Sequence, residues 1–599
     1  MNSDLKFRIS AFSRVTSAFL FLLIPLFGLG AEPAAQTADT HLNQFFQQYL
    51  DARFSLQPLA ATALGDHRFD NQLEDLRKAS RERWIDLDRA TLANLPKHVD
   101  YASLSRAGQV DFEILQTELT RSIWSAENLH PFEEDPRVYN NYISDSIYSL
   151  LTQSTLPHET NISNCLARMN LIPGVIAAAK ENLHNPPRAI LETAISQNRG
   201  ALEFYQTAIF EFAGKTRQLP GLKSSAVRAR TALLDYQQWL EKDLLPRANG
   251  DWRLGKEKFY RKLELELDAG LNADQVLDDA LTEFNRVQSE MYVISRQLWN
   301  RYFPARALPP DDTAGRRTTI QLVLSEIAKD HCTPSQLVDE IRETVKHIRK
   351  FITSADILRL PLPDSCNIVE MPEFQRGNST AFMNSPPPLD PKAKGFYAIS
   401  PPPKDWDAAR ATSYLKEYNR KMLQILTIHE AYPGHYVQFE YANRNASLIR
   451  LVLPSGVYVE GWAVYTEQMM LDQGYGNGDL ALRLTQLKFY LRAVANTILD
   501  HNMHCKGLTD EQALRFLTED AYQSEGEARL KIIRAKQSSV QLSTYFVGRM
   551  AHYRLRQAIA REQGENFRLG RYNEAVLSQG PVPVKYLPEL VRHRLTEPR

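Results

Sequence analysis

The segment Leu426–Tyr436 places a histidine–glutamate pair close to a second histidine, in the order His429-Glu-Ala-Tyr-Pro-Gly-His435. Zinc binds neutral imidazole nitrogens, and a glutamate beside them can take a proton from a water that the metal activates. The usual spacing, HExxH, brings both imidazoles to one face of a helix. Here the spacing is HExxxxH. His429 and His435 are therefore candidate zinc ligands, and Glu430 is the candidate general base.

The longer spacing requires a break in the helix. On an unbroken helix, six residues rotate by roughly 600° and rise by about 9 Å, whereas zinc–nitrogen bonds are about 2 Å long. Pro433 lacks an N–H group and crowds the carbonyl four residues earlier, while Gly434 permits backbone angles closed to other residues. We therefore expect a break or bulge at Pro433-Gly434 that turns His435 back towards His429.

A third ligand is predicted in the apolar run Val457–Tyr465, which begins 22 residues after His435. Glu460 lies in this run among valines and a tryptophan, so it should be mostly buried. A buried carboxylate is costly unless it is paired or binds a metal. Glu460 is therefore the expected third zinc ligand, and a salt bridge to a buried arginine is the alternative. Glu467 lies two helical turns further on the same face, where it is placed to orient one of the histidines.

These motifs resemble the family called domain of unknown function 885, which is grouped with the gluzincins, zinc peptidases that use two histidines and a downstream glutamate. Three further segments share the resemblance: Ala61–Asp70, Asp500–Gly507 and Gln541–Gly548. The resemblance covers nearly all of the chain after residue 30. It implies a mostly helical, two-lobed fold around a deep channel, similar to the M3-type oligopeptidases and angiotensin-converting enzyme. It also implies zinc-dependent hydrolysis of peptide bonds, and we expect short peptides as the substrates.

The resemblance implies roles for two further side chains. His504 matches the histidine of the family's Asp-x-x-x-His pattern, which begins here at Asp500, and Tyr545 matches the tyrosine of its Gln-x-x-x-Tyr pattern. By analogy with related peptidases, His504 and Tyr545 donate hydrogen bonds to the oxyanion of the tetrahedral intermediate. Asp500 is then expected to orient residues of the site without contacting the substrate or the metal itself. From the residues alone, a buried histidine or tyrosine is as readily explained by packing.

Substrate contacts are expected at two places. Many family members carry an arginine where this chain has Asn496, and Arg492 and Arg534 are the substitutes that could bind a peptide C-terminus bidentately. The short β-like run at 395–399 includes Tyr397. A strand beside a cleft can pair with an extended peptide, although a connecting edge strand is an equally good interpretation of this run.

The rest of the chain must supply the elements that position these residues. Apolar residues recur at helical spacing from about 42 to 302, and again from 408 almost to the end. Prolines crowd the stretch 360–406, which should be extended. We therefore expect a mostly α fold with a few short strands near the active site. Residues 31–599 should form one large domain, with lobes at about 38–303 and 311–599.

Composition and the N-terminus define the class of protein and its compartment. The 599 residues carry 71 basic and 71 acidic side chains, so nothing favours nucleic acid as a partner. Basic residues precede an apolar run at 18–27, followed by small residues, which is the pattern of a Sec-type signal peptide at 1–30. We expect a periplasmic or secreted protein without a stable membrane anchor. Its four cysteines allow three disulfide pairings, and the sequence does not choose among them.

Two alternatives to a peptidase remain at this stage. If the HExxxxH site does not close, the chain is a non-catalytic helical peptide-binding protein on a gluzincin scaffold. Ring nitrogens of His429 and His435 about 3–4 Å apart would support a shared metal, and a separation near 9 Å would support the binding protein. A metal-dependent hydrolase of non-peptide amides or esters would share the site and differ only in its pocket. The sequence leaves open the oligomeric state and whether cleavage is exo- or endo-.

Overall fold

The computed structural model describes residues 34–364, 366–371, 381–390, 392–404 and 406–597. The predicted signal peptide at 1–30 lies outside these residues. The described chain is mostly helical with one small sheet, which confirms the predicted fold class at that level.

Helices follow one another along the chain and are joined by short loops and by 3₁₀ or π turns. In chain order they are α1 (Ala34–Leu56), α2 (Pro58–Leu64), α3 (Lys78–His98), α4 (Arg106–Asn128), α5 (Pro131–Glu134), α6 (Arg137–Asn140), α7 (Ser146–Thr152), α8 (His158–Asn182), α9 (Arg188–Glu203), α10 (Ile209–Ala213), α11 (Leu219–Trp239), α12 (Gly255–Leu267), α13 (Ala273–Tyr302), α14 (Thr313–Ile327), α15 (Leu337–Ser354), α16 (Ala408–Glu417), α17 (Arg420–Glu430), α18 (His435–Asn445), α19 (Leu448–Val452), α20 (Gly456–Asp472), α21 (Leu480–Cys505), α22 (Asp510–Arg515), α23 (Glu525–Gln537), α24 (Thr544–Gln563), α25 (Leu569–Leu577) and α26 (Leu587–Thr596).

The buried apolar side chains form two clusters. The larger cluster combines residues from 42–119 and 259–591, and the smaller one lies almost entirely within 139–244. Helices on both sides of the predicted boundary at 303–311 therefore share one core. The division into two lobes stays a prediction, but the hydrophobic cores do not follow its boundary.

Three helices around the candidate site begin with a side chain that caps the backbone. Asn419 caps α17, Ser455 caps α20 and Asp479 caps α21, and each side-chain oxygen accepts a hydrogen bond from a backbone N–H of the first turn. Such caps satisfy donors that a helix start leaves unpaired. They fix the residue at which each helix begins, and therefore which side chains further along the helix face the site.

A glycine on each of two helices lets α20 and α24 cross in close contact. A Cβ atom on Gly461 would lie 2.3 Å from the backbone of Gly548, and one on Gly548 would lie 1.9 Å from the carbonyl oxygen of Val457. Contacts that short do not accommodate any side chain. Because Gly461 directly follows Glu460 and Gly548 lies three residues after Tyr545, the crossing brings those two side chains to the same place.

The sheet has three short strands: β1 (Asn367–Glu370), β2 (Ala381–Asn384) and β3 (Phe396–Ile399). β3 lies in the middle, parallel to β1 and antiparallel to β2. The predicted strand at 395–399 is therefore present, but its interpretation as an edge strand or a peptide-pairing strand is wrong. Both of its edges are already occupied, by partners that the proline-rich sequence did not reveal.

Two smaller predictions concern membranes and disulfides. Among the described helices, α8 is long and apolar enough to cross a membrane, but half of that window is buried inside the protein. Its apolar side chains belong to the smaller core. All four cysteines are free, so none of the three possible disulfide pairings occurs.

Candidate metal centre

The chain breaks its helix at the predicted point. α17 ends at Glu430 and α18 begins at His435. In the turn between them, the amide of Gly434 donates to the carbonyl of Ile428 at 3.0 Å, and the indole of Trp462 donates to the carbonyl of Pro433 at 2.9 Å. The turn is therefore held both by α17 and by α20.

Gly434 is required in this turn by space. A Cβ atom at this position would lie 1.8 Å from the carbonyl oxygen of His429 and 2.4 Å from that of Ile428. The φ of Gly434 is −70°, outside the left-handed region. Glycine is therefore needed here because two backbone segments approach closely, and not because of a left-handed backbone angle. The close approach lets α18 turn back onto the end of α17.

The two histidines and Glu460 come together at this break. The imidazole rings of His429 and His435 have centroids 4.9 Å apart. The Glu460 Oε2 atom lies 3.8 Å from His429 Nε2 and 3.5 Å from His435 Nε2. One potential ligand atom from each of the three residues lies within 4.8 Å of the other two. Both histidines are buried, and Glu460 is partly exposed.

These distances fit a zinc ion. Ligand bonds of about 2.0–2.2 Å in a tetrahedral site place ligand atoms roughly 3.3–3.6 Å apart. The separations of 3.5 and 3.8 Å are close to that range. Two imidazoles and one carboxylate are also a donor set that zinc takes in catalytic sites with one open position. His429, His435 and Glu460 are therefore able to hold one metal ion.

Glu467, on α20, contacts the first histidine. Its Oε1 atom lies 2.8 Å from His429 Nδ1, and its side chain is completely buried. With Nδ1–H donating to Glu467, the Nε2 lone pair of His429 is free to face Glu460 and His435. The Nδ1 atom of His435, in contrast, is buried without a hydrogen-bond partner in the described part of the chain.

Glu430 lies beside this cluster and is held by the sheet. The amide of Met383, on β2, donates to Glu430 Oε2 at 3.0 Å. Burial raises the pKa of the Glu430 carboxyl to about 7, although the charge of His435 acts in the opposite direction. A pKa near neutrality allows a carboxylate both to accept and to return a proton.

Tyr545 is the second predicted catalytic residue that reaches the cluster. Its hydroxyl interacts with Glu460. Burial raises the pKa of that carboxyl, but His435, with smaller contributions from His429 and Tyr545, holds it below its usual value. The same hydroxyl accepts from the Arg534 guanidinium at 3.4 Å and from the Gln541 amide at 3.5 Å. Because these two groups donate to the oxygen, the O–H of Tyr545 itself is available to Glu460.

His504 has a different position from the one expected. Its Nε2 atom contacts the carbonyl oxygens of Ala535 and Ser538 at 3.0 and 3.3 Å, and its Nδ1 accepts from the amide of Leu254 at 3.4 Å. Its ring packs against Trp252. Both ring nitrogens are therefore engaged by backbone groups, and no described contact joins His504 to the cluster.

Asp500 acts with His504 on one loop between α23 and α24. Its Oδ2 atom accepts from the amide of Val540 at 2.7 Å, and its Oδ1 lies 3.5 Å from His504 Nε2. Val540 has a φ of +72°, which a β-branched residue rarely adopts. The Asp-x-x-x-His pattern therefore fixes the loop that leads to Tyr545. The expectation of an oxyanion contact from His504 gains no support from these contacts.

Of the predicted substrate-binding residues, the two arginines lie near the cluster and the tyrosine is not accessible to a substrate. Arg534 is exposed and bonds to Tyr545, while Arg492 pairs with Glu527 at 3.2 Å and lies one turn from Phe489, whose ring is 6.0 Å from that of His429. Both arginines thus border the cluster. Tyr397 is fully buried in the middle of the sheet, which leaves it no surface for a substrate.

The deep channel stays a prediction. A surface groove of about 420 Å³ lies between α1 and α3, and it is lined by residues such as Phe45, Tyr49 and Thr91. None of the cluster residues borders that groove. The assignment of the metal centre therefore depends on the distances between its side chains and on their burial.

Sequence reasoning missed the contact between β2 and Glu430. The segment 381–384 shows no strong alternation of apolar and polar residues, and a hydrogen bond from the Met383 backbone carries no signal in the identity of the side chain. The sequence signal that could have indicated this contact is the proline-rich stretch that precedes Glu430.

Comparison with known proteins places this His–His–Glu helical protein in a family. The chain belongs to the family described as "Bacterial protein of unknown function (DUF885)", which matches residues 58–591. It is similar to the solved structure of a "putative lipoprotein of unknown function" from Shewanella oneidensis, with 31% identity, a TM-score of 0.78, and coverage of 92% of this chain and 99% of that one. A "putative lipoprotein" from Colwellia psychrerythraea shares the fold at 18% identity, with a TM-score of 0.74 and coverage of 94% and 99%. Curated proteins give no significant match.

Proposed function

We propose that this chain is an exported zinc-dependent metallopeptidase that hydrolyses peptide bonds in short peptides. The observation that carries the proposal is the meeting of His429, His435 and Glu460 within 4.8 Å, despite the HExxxxH spacing. Glu430, a partly buried carboxylate, directly follows the proposed ligand His429 in the chain. A metal-dependent hydrolase needs at least a set of metal ligands and a proton acceptor beside them.

In the proposed reaction each side chain has a separate task. A bound zinc ion supplies Lewis acidity, which promotes ionisation of water and polarises the scissile carbonyl. Glu430 accepts a proton from the attacking water and returns it to the leaving amine. The Met383 amide holds the Glu430 carboxylate in position. Tyr545 turns its O–H from Glu460 to the oxyanion that develops on the substrate.

The gluzincin-type fold around a channel and the exported location are parts of the same proposal. The basic, apolar and small-residue order at 1–30 supports export. The descriptions of both similar structures as "putative lipoprotein" also favour a protein outside the cytoplasm. In this chain the first cysteine is Cys165, far from the predicted cleavage point, so a lipid anchor there is not part of the proposal.

The peptide-binding alternative rested on the irregular spacing of the histidines. Ring centroids 4.9 Å apart remove much of its motivation, because the rings are far closer than the roughly 9 Å of an unbroken helix. A hydrolase of non-peptide amides or esters would use the same centre. No contact of the described residues favours it over a peptidase.

The test is the substitution Glu430→Gln, which keeps the shape of the side chain and removes its basicity. We expect about one zinc ion per chain in both proteins, and a loss of peptide cleavage of about 10²–10⁴-fold in the variant. Zinc content by mass spectrometry and product formation from a mixed peptide library provide the two measurements.

Glu440→Gln is the matched control. Glu440 is a part-buried carboxylate on α18 that pairs with Arg444 at 3.2 Å and takes no part in the cluster. It should leave both zinc content and cleavage unchanged. A wild-type protein that binds no metal, or a Glu430→Gln variant that cleaves as fast as the wild type, would refute the proposed function.

A further inference from the structure

One buried lysine close to the candidate metal centre has no partner for its charge. Lys531, on α23, is only 5% exposed. Within the described residues its amine makes no hydrogen bond and no ion pair. Lysine is almost never buried to this extent unless it is paired, so its retention needs an explanation.

The groups around Lys531 also disfavour its protonated form. Burial lowers the pKa of Lys531 well below its usual value, and the like charges of Arg492 and Arg534 act in the same direction. The nearest opposing charge is Glu527. Its Oε2 atom is already paired with Arg492 at 3.2 Å, and its Oε1 atom accepts from the hydroxyl of Tyr418 at 3.2 Å. Two arginines and one lysine therefore face one carboxylate that is already engaged.

Helix geometry directs these side chains to one place. Glu527, Lys531 and Arg534 are spaced by four and three residues, so they lie on one face of α23. That face meets α21, which carries Arg492. A second acidic residue of the neighbourhood, Glu417, is bound to Lys488 at 2.7 Å and does not neutralise the excess.

The basic group adjoins the candidate metal centre on two sides. Arg534 donates to Tyr545, whose hydroxyl bonds to the predicted ligand Glu460. Arg492 lies close enough to His429 for its charge to act on the imidazole. Lys531 lies at the buried end of the group, and Arg534 is exposed at its outer end.

We propose that Lys531, together with Arg492 and Arg534, forms a subsite that binds a carboxylate of the peptide substrate. This proposal rests on the proposed function and adds Lys531 and the chemistry of the bound group. A bound carboxylate supplies a negative charge that favours the protonated form of Lys531, and it accepts charge-assisted hydrogen bonds from that amine and from both guanidinium groups. The carboxylate is either the free C-terminus of the peptide or an acidic side chain.

The test measures equilibrium binding of peptides to the Glu430→Gln variant, so that no peptide is consumed. Three versions of one short peptide are compared: the free acid, its C-terminal amide, and the amide with a glutamate added near its end. We expect the free acid to bind about tenfold tighter than the plain amide, or more. Tight binding of the glutamate-containing amide would instead identify an acidic side chain as the source of the carboxylate.

Lys531→Met removes the buried charge and keeps the length of the side chain. It should abolish the preference for the carboxylate-bearing peptide and leave binding of the plain amide unchanged. The thermal unfolding temperature should be equal or higher, because an uncompensated buried charge has been removed. Arg529→Met, which removes an exposed charge from the same helix, is the control and should keep the preference.

The two proposals fail separately. Equal binding of the acid and both amides, or a preference that survives Lys531→Met, overturns the carboxylate subsite even if the wild type cleaves peptides. A clear preference lost in Lys531→Met, combined with a wild type that cleaves nothing, supports the subsite and refutes the peptidase.

Discussion

Replacing Gly434 by alanine tests directly how the two histidines are brought together. The added methyl group would lie 1.8 Å from the carbonyl oxygen of His429 and 2.4 Å from that of Ile428. Both obstacles are backbone atoms, so no side chain can rotate away to make room. The only relief is a movement of the turn away from the end of α17, which carries His435 with it.

The size of that movement follows from the structure. Real Cβ atoms essentially never approach another heavy atom closer than 3.0 Å, so the gap to the His429 oxygen must grow by at least 1.2 Å. Metal–ligand distances tolerate only about 0.2 Å. The nitrogen of His435 now lies 3.5 Å from Glu460 Oε2, a distance that a displacement of this size would spoil. We expect zinc affinity to fall by about 100-fold or more, beyond the 10–100-fold typical of losing a supporting contact.

The assay is a competition titration of zinc against a chelating dye, with circular dichroism and thermal unfolding to confirm that the variant folds. Gly456→Ala is the matched control, because a Cβ atom there meets nothing within 4 Å. It should bind zinc like the wild type. A folded Gly434→Ala protein with wild-type zinc affinity would refute the argument that close packing at this glycine closes the site.

Two further predictions concern the support of the centre and of the fold around it. Glu467→Gln replaces the buried acceptor of His429 Nδ1 by an amide, and we expect zinc affinity to fall by about 10–100-fold in the same titration, while Glu440→Gln changes nothing; unchanged affinity would mean that Glu467 does not orient the ring. Glu283 on α13 accepts from Arg286 at 2.7 Å and from Tyr490 at 2.9 Å. Burial raises the pKa of its carboxyl, but these two hydrogen bonds and the charges of Arg286 and Arg549 hold it below the usual 4.5. A depressed pKa stabilises the folded state above the unfolded pKa, so Glu283→Gln should lower the free energy of unfolding by about 1–3 kcal/mol at pH 7. This deficit should shrink as the pH falls below 4.5. Urea unfolding at pH 7 and at pH 4 measures it, with Glu290→Gln, an exposed partner of the same arginine, as a control that should cost less than 1 kcal/mol; a deficit that grows on acidification would contradict the argument.

Local chemistry made much of the centre predictable from the sequence. Pro433 and Gly434 end α17 because of what a ring and a missing side chain do to a backbone, and those properties are visible in one segment. Glu460 stood out because an acidic residue in an apolar run needs a partner. Helical spacing then placed Glu467 on the same face. Each of these inferences depends on residues that are close together along the chain.

Contacts between distant segments were not predictable in the same way. His504 has the residue type of an oxyanion donor, but its nitrogens are used by backbone groups near 254 and 535–538. The sequence shows the histidine and not the loop that surrounds it. Lys531 is a similar case, since a lysine at a helical position reads as a solvated residue until the packing shows that it is buried.

The segment Ala61–Asp70, the N-terminal signature, shows how a distant segment serves the centre. Gly65 packs so closely on Asp390 that a Cβ atom would lie 2.8 Å from its backbone, and the amide of Leu389 donates to the carbonyl of Leu64 at 2.9 Å. His67 lies between two carboxylates, 2.8 Å from Asp70 and 3.2 Å from Asp390. The signature therefore holds the segment that follows β2.

That segment matters because β2 carries the Met383 amide that holds Glu430. A four-residue strand at the edge of a three-stranded sheet has little stability of its own. It keeps its position relative to α17 only if the chain on either side is fixed. The contacts at Asp390 fix one side, so residues about 360 positions away in the sequence from Glu430 help to define where the candidate base lies.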